Sequence, residues 1–268
     1  MTSDLPYNPL NILLTVEDLK HIIQPYTDIP VSNIGLYRNA FVHKSYCTRK
    51  NENFANGNIL CPQNCLPLQE ESNERLEFLG DAVINLIIGN YLYIRFPDES
   101  EGFLTKVRTK LVNGNMLAEL AKYAELNPFI IISKQIEDNR GRLNTKILED
   151  TFEAFVGAMY LDLESQNLNA TKMVGSWLIS LIETNIDFVE LLLTNSNYKD
   201  SFLKYYQHTH NHLPKFVEVS ADSTSTGKRY KVAIKDKENT IIAMGTGPNK
   251  KAAENDASYN ALVFLGQL

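Results

Sequence analysis

Apolar residues along the chain follow two kinds of spacing, and the change between them divides it. In the longer N-terminal part they recur at helical intervals. Residues 73–84 carry Leu76, Phe78, Leu79, Ala82, Val83 and Ile84, which predicts a largely buried helix. Residues 148–158 repeat the pattern with Leu148, Phe152, Ala154, Phe155, Val156 and Ala158. Residues 49–70, by contrast, are rich in Asn, Gln, Pro and Cys and show no period; they read as a long, mobile surface insertion between the first helices. Past a polar break at Thr194-Asn195-Ser196-Asn197 the spacing shifts. A helical stretch from Lys199 to about Gln207 precedes three strand-like runs, 215–220, 229–235 and 240–245, rich in β-branched or aromatic residues. The chain closes on a helix over 249–265, with Asn249 as N-cap and Ala252, Ala253, Ala257, Ala261 and Leu262 as its packing face.

Carboxylates interrupt the two apolar helices. Glu74, Glu77 and Asp81, in steps of three and four, share one helix face. Like charges at that spacing repel, and carboxylates against a core are costly unless paired or coordinated. No Lys follows within that helix, and Arg75 is a single cation. Asp150 and Glu153 repeat the three-residue step in the second helix. A solvated acidic stripe is the competing explanation, and the core-like residues flanking both sets count against it. Packed together, the two helices would form a cage from Glu77, Asp81, Asp150 and Glu153. Such a cage suits a hard, oxygen-seeking ion such as Mg²⁺ and metal-assisted hydrolysis of a phosphodiester.

The run Asn73-Glu74-Arg75-Leu76-Glu77-Phe78-Leu79-Gly80-Asp81-Ala82-Val83 resembles the signature of the ribonuclease III family. Phe41-Val42-His43-Lys44-Ser45-Tyr46, Glu101-Gly102-Phe103-Leu104 with Arg108 and Leu111-Val112-Asn113, and Glu149-Asp150-Thr151-Phe152-Glu153-Ala154 with Tyr160-Leu161-Asp162 agree in order. The α-β-β-β-α order and Gly245-Thr246-Gly247-Pro248-Asn249-Lys250-Lys251-Ala252-Ala253-Glu254 resemble a double-stranded RNA-binding domain. The resemblance implies a multidomain protein: an all-α ribonuclease III endonuclease domain over 10–193, then a small α+β RNA-binding domain over 197–268. It further implies Mg²⁺-dependent cleavage of double-stranded RNA, with Mn²⁺ substituting, by a homodimer joined through its nuclease domains. Products would carry 5′-phosphate and 3′-hydroxyl ends with short 3′ overhangs. Glu77, Asp150 and Glu153 would hold metal, and Asp81, itself counted with the metal set, would position the attacking water. Glu74 and Glu101 match supporting positions. Lys250, Lys251, Lys228 and Asn249 would contact RNA.

Composition adjusts this picture in places. With 44% hydrophobic and 22% charged residues the chain is of ordinary globular type. No apolar run approaches the roughly 18 residues of a membrane span, and the first twenty residues lack a basic, apolar leader. An intracellular, cytoplasmic protein with no membrane partner is expected. The three cysteines, Cys47, Cys61 and Cys65, suit a reducing compartment. With His43 they fall short of a zinc ligand set, so Cys61 and Cys65 read as thiols of an exposed loop. His208, His210 and His212 read as a solvated trio just past a helix. The formal net charge of −6 runs against phosphate binding. It is unevenly spread: residues 196–268 hold ten Lys+Arg against seven Asp+Glu, while the remainder holds sixteen against twenty-five.

The second module departs from its family pattern. Ser223-Thr224-Ser225-Thr226 stands where a Gly-Pro-x-His loop is usual, and Leu203-Lys204 where a Gln-Glu pair is common. Binding is then expected to lean on backbone charge and A-form shape. Two rivals use the same scaffold features. A catalytically dead binding relative would have lost acidic residues, and all four are present. An all-α nucleotide pyrophosphohydrolase also pairs carboxylates three apart, but needs no RNA-binding module. RNA maturation and the blunting of RNA silencing would share one chemistry, which sequence does not separate.

Overall fold

Residues 6–48, 61–193, 198–224 and 227–268 are described by the computed structural model. In chain order they form α1 (Val16–Ile23), α2 (Ile34–Ala40), α3 (Glu74–Arg95), α4 (Glu101–Leu111), α5 (Gly114–Tyr123), α6 (Lys134–Asp138), α7 (Thr145–Ser165), α8 (Ala170–Asn185), α9 (Phe188–Leu193), α10 (Tyr198–His210), β1 (Lys215–Thr224), β2 (Gly227–Lys235), β3 (Ile241–Gly247) and α11 (Lys250–Phe264). The chain divides into two compact units, Met1–Leu191 and Leu192–Leu268. Among the described residues no helix is long and apolar enough to cross a membrane.

The first unit is built around α7, whose buried residues run from Ile147 to Leu163 and cover every side of the helix. Such a helix must be wrapped by others. Phe152 and Phe155 meet Trp177 of α8 at ring separations of 6.0 and 5.5 Å, and Phe155 meets Tyr37 of α2 at 5.7 Å. Against α7, α3 crosses backbone to backbone. A Cβ on Gly80 would stand 1.7 Å from the Glu153 carbonyl oxygen, and one on Gly157 would stand 2.3 Å from that of Leu76. Only glycine allows that approach.

Asn73 fixes where α3 begins. Its side chain is buried and donates to the Ala40 carbonyl at 3.2 Å, while its backbone N–H donates to Val42 O at 2.8 Å. Asp162 of α7 does the same for α2: its fully buried carboxylate accepts from the N–H groups of Ser32 and Asn33 at 3.0 and 2.9 Å. Each buried polar group is thereby satisfied, as its burial demands.

Two expectations for this unit are corrected. Rather than being largely buried, α3 buries one stripe, Leu76, Gly80, Val83, Ile84, Ile87, Ile88 and Leu92. Phe78 is 82% exposed and Leu86 60%, and Ala82 is exposed too. Apolar character overstated burial because α3 has one neighbour-facing side. Of the 49–70 insertion, residues 49–60 lie outside the described residues, but its end is docked. Leu66 and Leu68 pack against Val42, Tyr46 and Ile131, and the Tyr46 hydroxyl donates to Leu66 O at 2.7 Å. Two leucines hidden in a polar segment were enough to anchor it.

The second unit carries an antiparallel sheet in the order β1-β2-β3. Phe202 and Tyr206 of α10, Ile234 of β2 and Ala257, Ala261 and Leu262 of α11 make its core. Ser223 and Thr224 pair with Lys228 and Gly227, so half of the expected Ser223–Thr226 loop is strand; residues 225 and 226 lie outside the described residues. α10 continues to His210, placing His208 and His210 in its last turn rather than in a loop. It stops at Asn211, whose φ of 57° is left-handed. The Tyr206 ring lies 4.2 Å from that of His210 and 5.4 Å from that of His212, so these two histidines are packed against it rather than fully solvated.

Candidate active site and nucleic-acid interface

The crossing of α3 and α7 brings carboxylates from two distant stretches together. One oxygen from each of Glu77, Asp150 and Glu153 lies within 4.8 Å of the others. Glu77 stands one turn past Asn73, and Glu153 carries the very carbonyl that Gly80 approaches. Asn144 caps α7, accepting from the Lys146 and Ile147 N–H groups at 2.9 and 3.3 Å. Asp150 and Glu153 are thereby held one turn apart on a fixed helix.

The cluster is electrostatically strained. Glu153 is only 7% exposed; burial, then the charge of Asp81, pushes its carboxyl up to about 8. Burial and then Asp150 raise that of Glu77. Asp150 Oδ1 is buried and is compensated by the Lys146 ammonium 2.7 Å away. Lys146 also lies 3.4 Å from Glu149 and 4.0 Å from Glu77, and these anions, Asp150 foremost, raise its pKa. Closely spaced carboxylate oxygens and a surplus of negative charge fit a hard divalent cation.

Asp81 stands outside this triplet. It is exposed, one turn beyond Glu77, and its Oδ1 accepts from the Asn85 side chain at 2.9 Å. Glu74 is exposed and accepts from Lys44 and from the Ser72 hydroxyl, both at 3.0 Å; those bonds hold its carboxyl below the usual range. Glu101 opens α4, exposed, and accepts from the Thr105 hydroxyl at 2.8 Å. It is not part of the clustered set. The residue that sequence reasoning missed is Lys146. A cation was sought within α3, whereas it comes from α7. Its positions three before Glu149 and four before Asp150 were the available signal.

In the second unit, Asn249 Oδ1 accepts from Ala252 N at 2.9 Å, capping α11 as expected. Lys250 and Lys251 open that helix and are exposed, with Lys250 Nζ 4.0 Å from Glu218. An exposed pair at that distance is weak and leaves the ammonium available for phosphate. Lys228 lies in β2 opposite Ser223. Lys204, at the position of the missing Gln-Glu pair, bonds back to Asp200 of its own helix at 2.9 Å. Basic side chains and free N–H groups at a helix start form an anion site.

A carboxylate cluster on one unit and a basic helix start on the other suit an enzyme of nucleic acids. Comparison with known proteins narrows the class. Residues 33–181 match the family described as Ribonuclease-III-like, and residues 198–265 match the Double-stranded RNA binding motif. The chain is 34% identical over 255 residues to the probable ribonuclease 3 of Acanthamoeba polyphaga mimivirus, covering 94% of this chain and 46% of that protein. It is 30% identical over 255 residues to ribonuclease 3 of Streptococcus pyogenes serotype M5, covering 94% of this chain and 100% of the relative. Two solved structures of the ribonuclease III nuclease domain from Campylobacter jejuni are each 31% identical with a TM-score of 0.50. They cover 65% and 64% of this chain and 99% of their own chains. The second is described as showing flexibility in a region involved in dimer formation. The chain belongs to the ribonuclease III family, with a helical nuclease domain followed by an α-β-β-β-α double-stranded RNA-binding domain. Its activity is that of a ribonuclease III-type endonuclease of double-stranded RNA.

Proposed function

We propose that this chain cuts double-stranded RNA with Mg²⁺ held by Glu77, Asp150 and Glu153, with Mn²⁺ able to substitute. The observation that carries the reading is the triplet of carboxylate oxygens within 4.8 Å of one another, contributed by two crossing helices. The bound cation supplies Lewis-acid stabilisation of charge developing on the phosphodiester. The protein supplies the rest. Asp81, exposed beside the triplet and held by Asn85, positions or polarises the attacking water. Lys146 offsets the like charge of Glu149, Asp150 and Glu77. Glu74, tied to Lys44, and Glu101 have supporting roles at the rim. Lys250, Lys251 and Lys228 hold duplex phosphates, with Asn249 fixing the helix terminus that presents the first two. Products carry 5′-phosphates, 3′-hydroxyls and short 3′ overhangs, and RNA maturation and removal of silencing RNA would use the same cut.

The working unit in this reading is a homodimer through the nuclease domain, since one carboxylate cluster cuts one strand. Its support is Phe78, 82% exposed on α3 beside a cavity of about 790 Å³. Asn33, Leu36, Glu74, Leu76 and Leu161 line that cavity, and Phe78 itself contributes to it. A knob and a hollow on one surface suit an isologous contact. The test is incubation of the full chain with labelled duplex and single-stranded RNA, in Mg²⁺, in Mn²⁺ and in EDTA. Duplex cleavage with either metal and none with EDTA is the expected result; duplex cleavage undiminished in EDTA would overturn the reading.

A further inference from the structure

Cys61 and Cys65 take no part in the carboxylate cluster, and the turn that Cys61 precedes and Cys65 ends is built like a clasp. The Cys65 N–H donates to Pro62 O at 2.9 Å, closing a four-residue turn. Across it, Cys61 Sγ lies 3.4 Å from the carbonyl oxygen of Cys65 and 3.4 Å from that of Leu66. The thiols are near enough that the charge of Cys61 adds to burial in raising the pKa of Cys65, and both act on Tyr7. Cys61 is exposed and Cys65 half-buried. Immediately after the turn the chain docks, through Leu66 and Leu68 on the Val42–Tyr46–Ile131 cluster. The Tyr46 hydroxyl holds the same Leu66 carbonyl that Cys61 approaches.

We infer that Cys61 and Cys65 form an oxidisable dithiol, a modification site that closes into an intrachain disulfide with a low-molecular-weight disulfide as oxidant. A protein disulfide needs Cα atoms about 4.4–6.8 Å apart; the Pro62–Cys65 turn folds Cys65 back towards Cys61, whose Sγ lies 3.4 Å from the Cys65 carbonyl oxygen. The exposed Cys61 reacts first. Its thiolate attacks oxidised glutathione, forming a mixed disulfide and releasing one glutathione thiolate. Cys65 then loses its proton and attacks the Cys61 sulfur, forming the protein disulfide and releasing the second glutathione. Two protein thiols are oxidised and one glutathione disulfide is reduced to two thiols. In a reducing compartment such bridges are transient and sensing rather than structural. Here the bridge would staple the start of the docked Leu66–Leu68 segment, which is otherwise held by a few contacts.

The full chain is treated with oxidised glutathione, quenched with iodoacetamide, and examined by intact mass and peptide mapping. Wild type and Cys47→Ser should each lose two hydrogens, present two fewer alkylatable thiols and yield one linked peptide joining Cys61 to Cys65. Cys65→Ser should stop at a single glutathione adduct on Cys61, and Cys61→Ser should react far more slowly. Oxidised wild type should also be cleaved more slowly by protease within residues 61–70 than the reduced form. Three alkylated thiols in treated wild type, a bridge containing Cys47, or an intermolecular bridge would each overturn the inference.

Discussion

Glu153 is the residue on which the electrostatics of the site turn. Its carboxyl is displaced to about 8 by burial and by Asp81, above the ordinary 4.5 of an unfolded chain. Between those values the folded chain binds a proton that the unfolded chain has released. Without metal, stability should therefore fall as pH rises from 4.5 towards about 8 and level off above. Thermal unfolding in EDTA across that window should show the decline, and Glu153→Gln should flatten it. An unchanged slope in the variant would assign the effect elsewhere. The same substitution, or Glu77→Ala, should lower cleavage of duplex RNA by about three orders of magnitude or more, the several kcal/mol that a bound cation supplies. Duplex affinity should stay nearly unchanged, because binding is assigned to the other unit. Single-turnover cleavage beside a binding titration separates the two quantities. Lys146→Met is expected to leave Asp150 without compensation and to destabilise the metal-free protein. Chemical denaturation with and without Mg²⁺ checks whether added metal restores the loss.

At the scale of the element, the site exists because α3 and α7 touch through Gly80 and Gly157. Gly80→Ala places a methyl group inside the space of the Glu153 carbonyl. Backbone must move to accept it, so the cost should reach the upper end of the about 1–3 kcal/mol typical of overpacking. Urea unfolding measures the cost, and cleavage should fall with it as Glu153 shifts. The run 73–84 made the helix and its acidic face legible, since spacing alone aligns Glu74, Glu77 and Asp81. It did not show that Phe78 and Ala82 face outward, because an apolar residue reads the same whether its neighbour is core or open surface. Lys146 was passed over for a different reason: a cation was sought along α3, whereas it comes from α7, where its spacing to Glu149 and Asp150 was legible. In the second unit, the cap at Asn249 and the Ala253–Ala257–Ala261 packing face could be read directly. The continuation of α10 to His210 could not, because its stop rests on the left-handed backbone of Asn211 rather than on a Pro or Gly.

For the whole molecule, the spread of charge and the proposed dimer contact bear on the behaviour towards RNA. The surplus of basic residues after 196 and of acidic residues before it leaves duplex capture to the second unit. Replacing Lys250 and Lys251 by Ala should weaken binding to any duplex sequence alike. The salt slope should shrink by about 1.8, the worth of two phosphate contacts. A salt titration beside wild type measures it, and an unchanged slope would remove both lysines from the interface. Phe78→Glu should shift the chain towards monomer in light scattering, since a charge would meet the cavity lined by Leu36, Leu76 and Leu161; a mass identical to that of wild type would place the contact elsewhere. The glycine crossing also governs how the site responds to heat. Glu77, Asp150 and Glu153 ride on helices whose backbones touch, in the most buried layer of the unit, so local fluctuation cannot part them without parting the core. The amides of residues 153–159 should then exchange with solvent deuterium only through global opening of the nuclease unit. Metal would find its ligands preorganised, and activity would persist undiminished on warming until the whole unit melts.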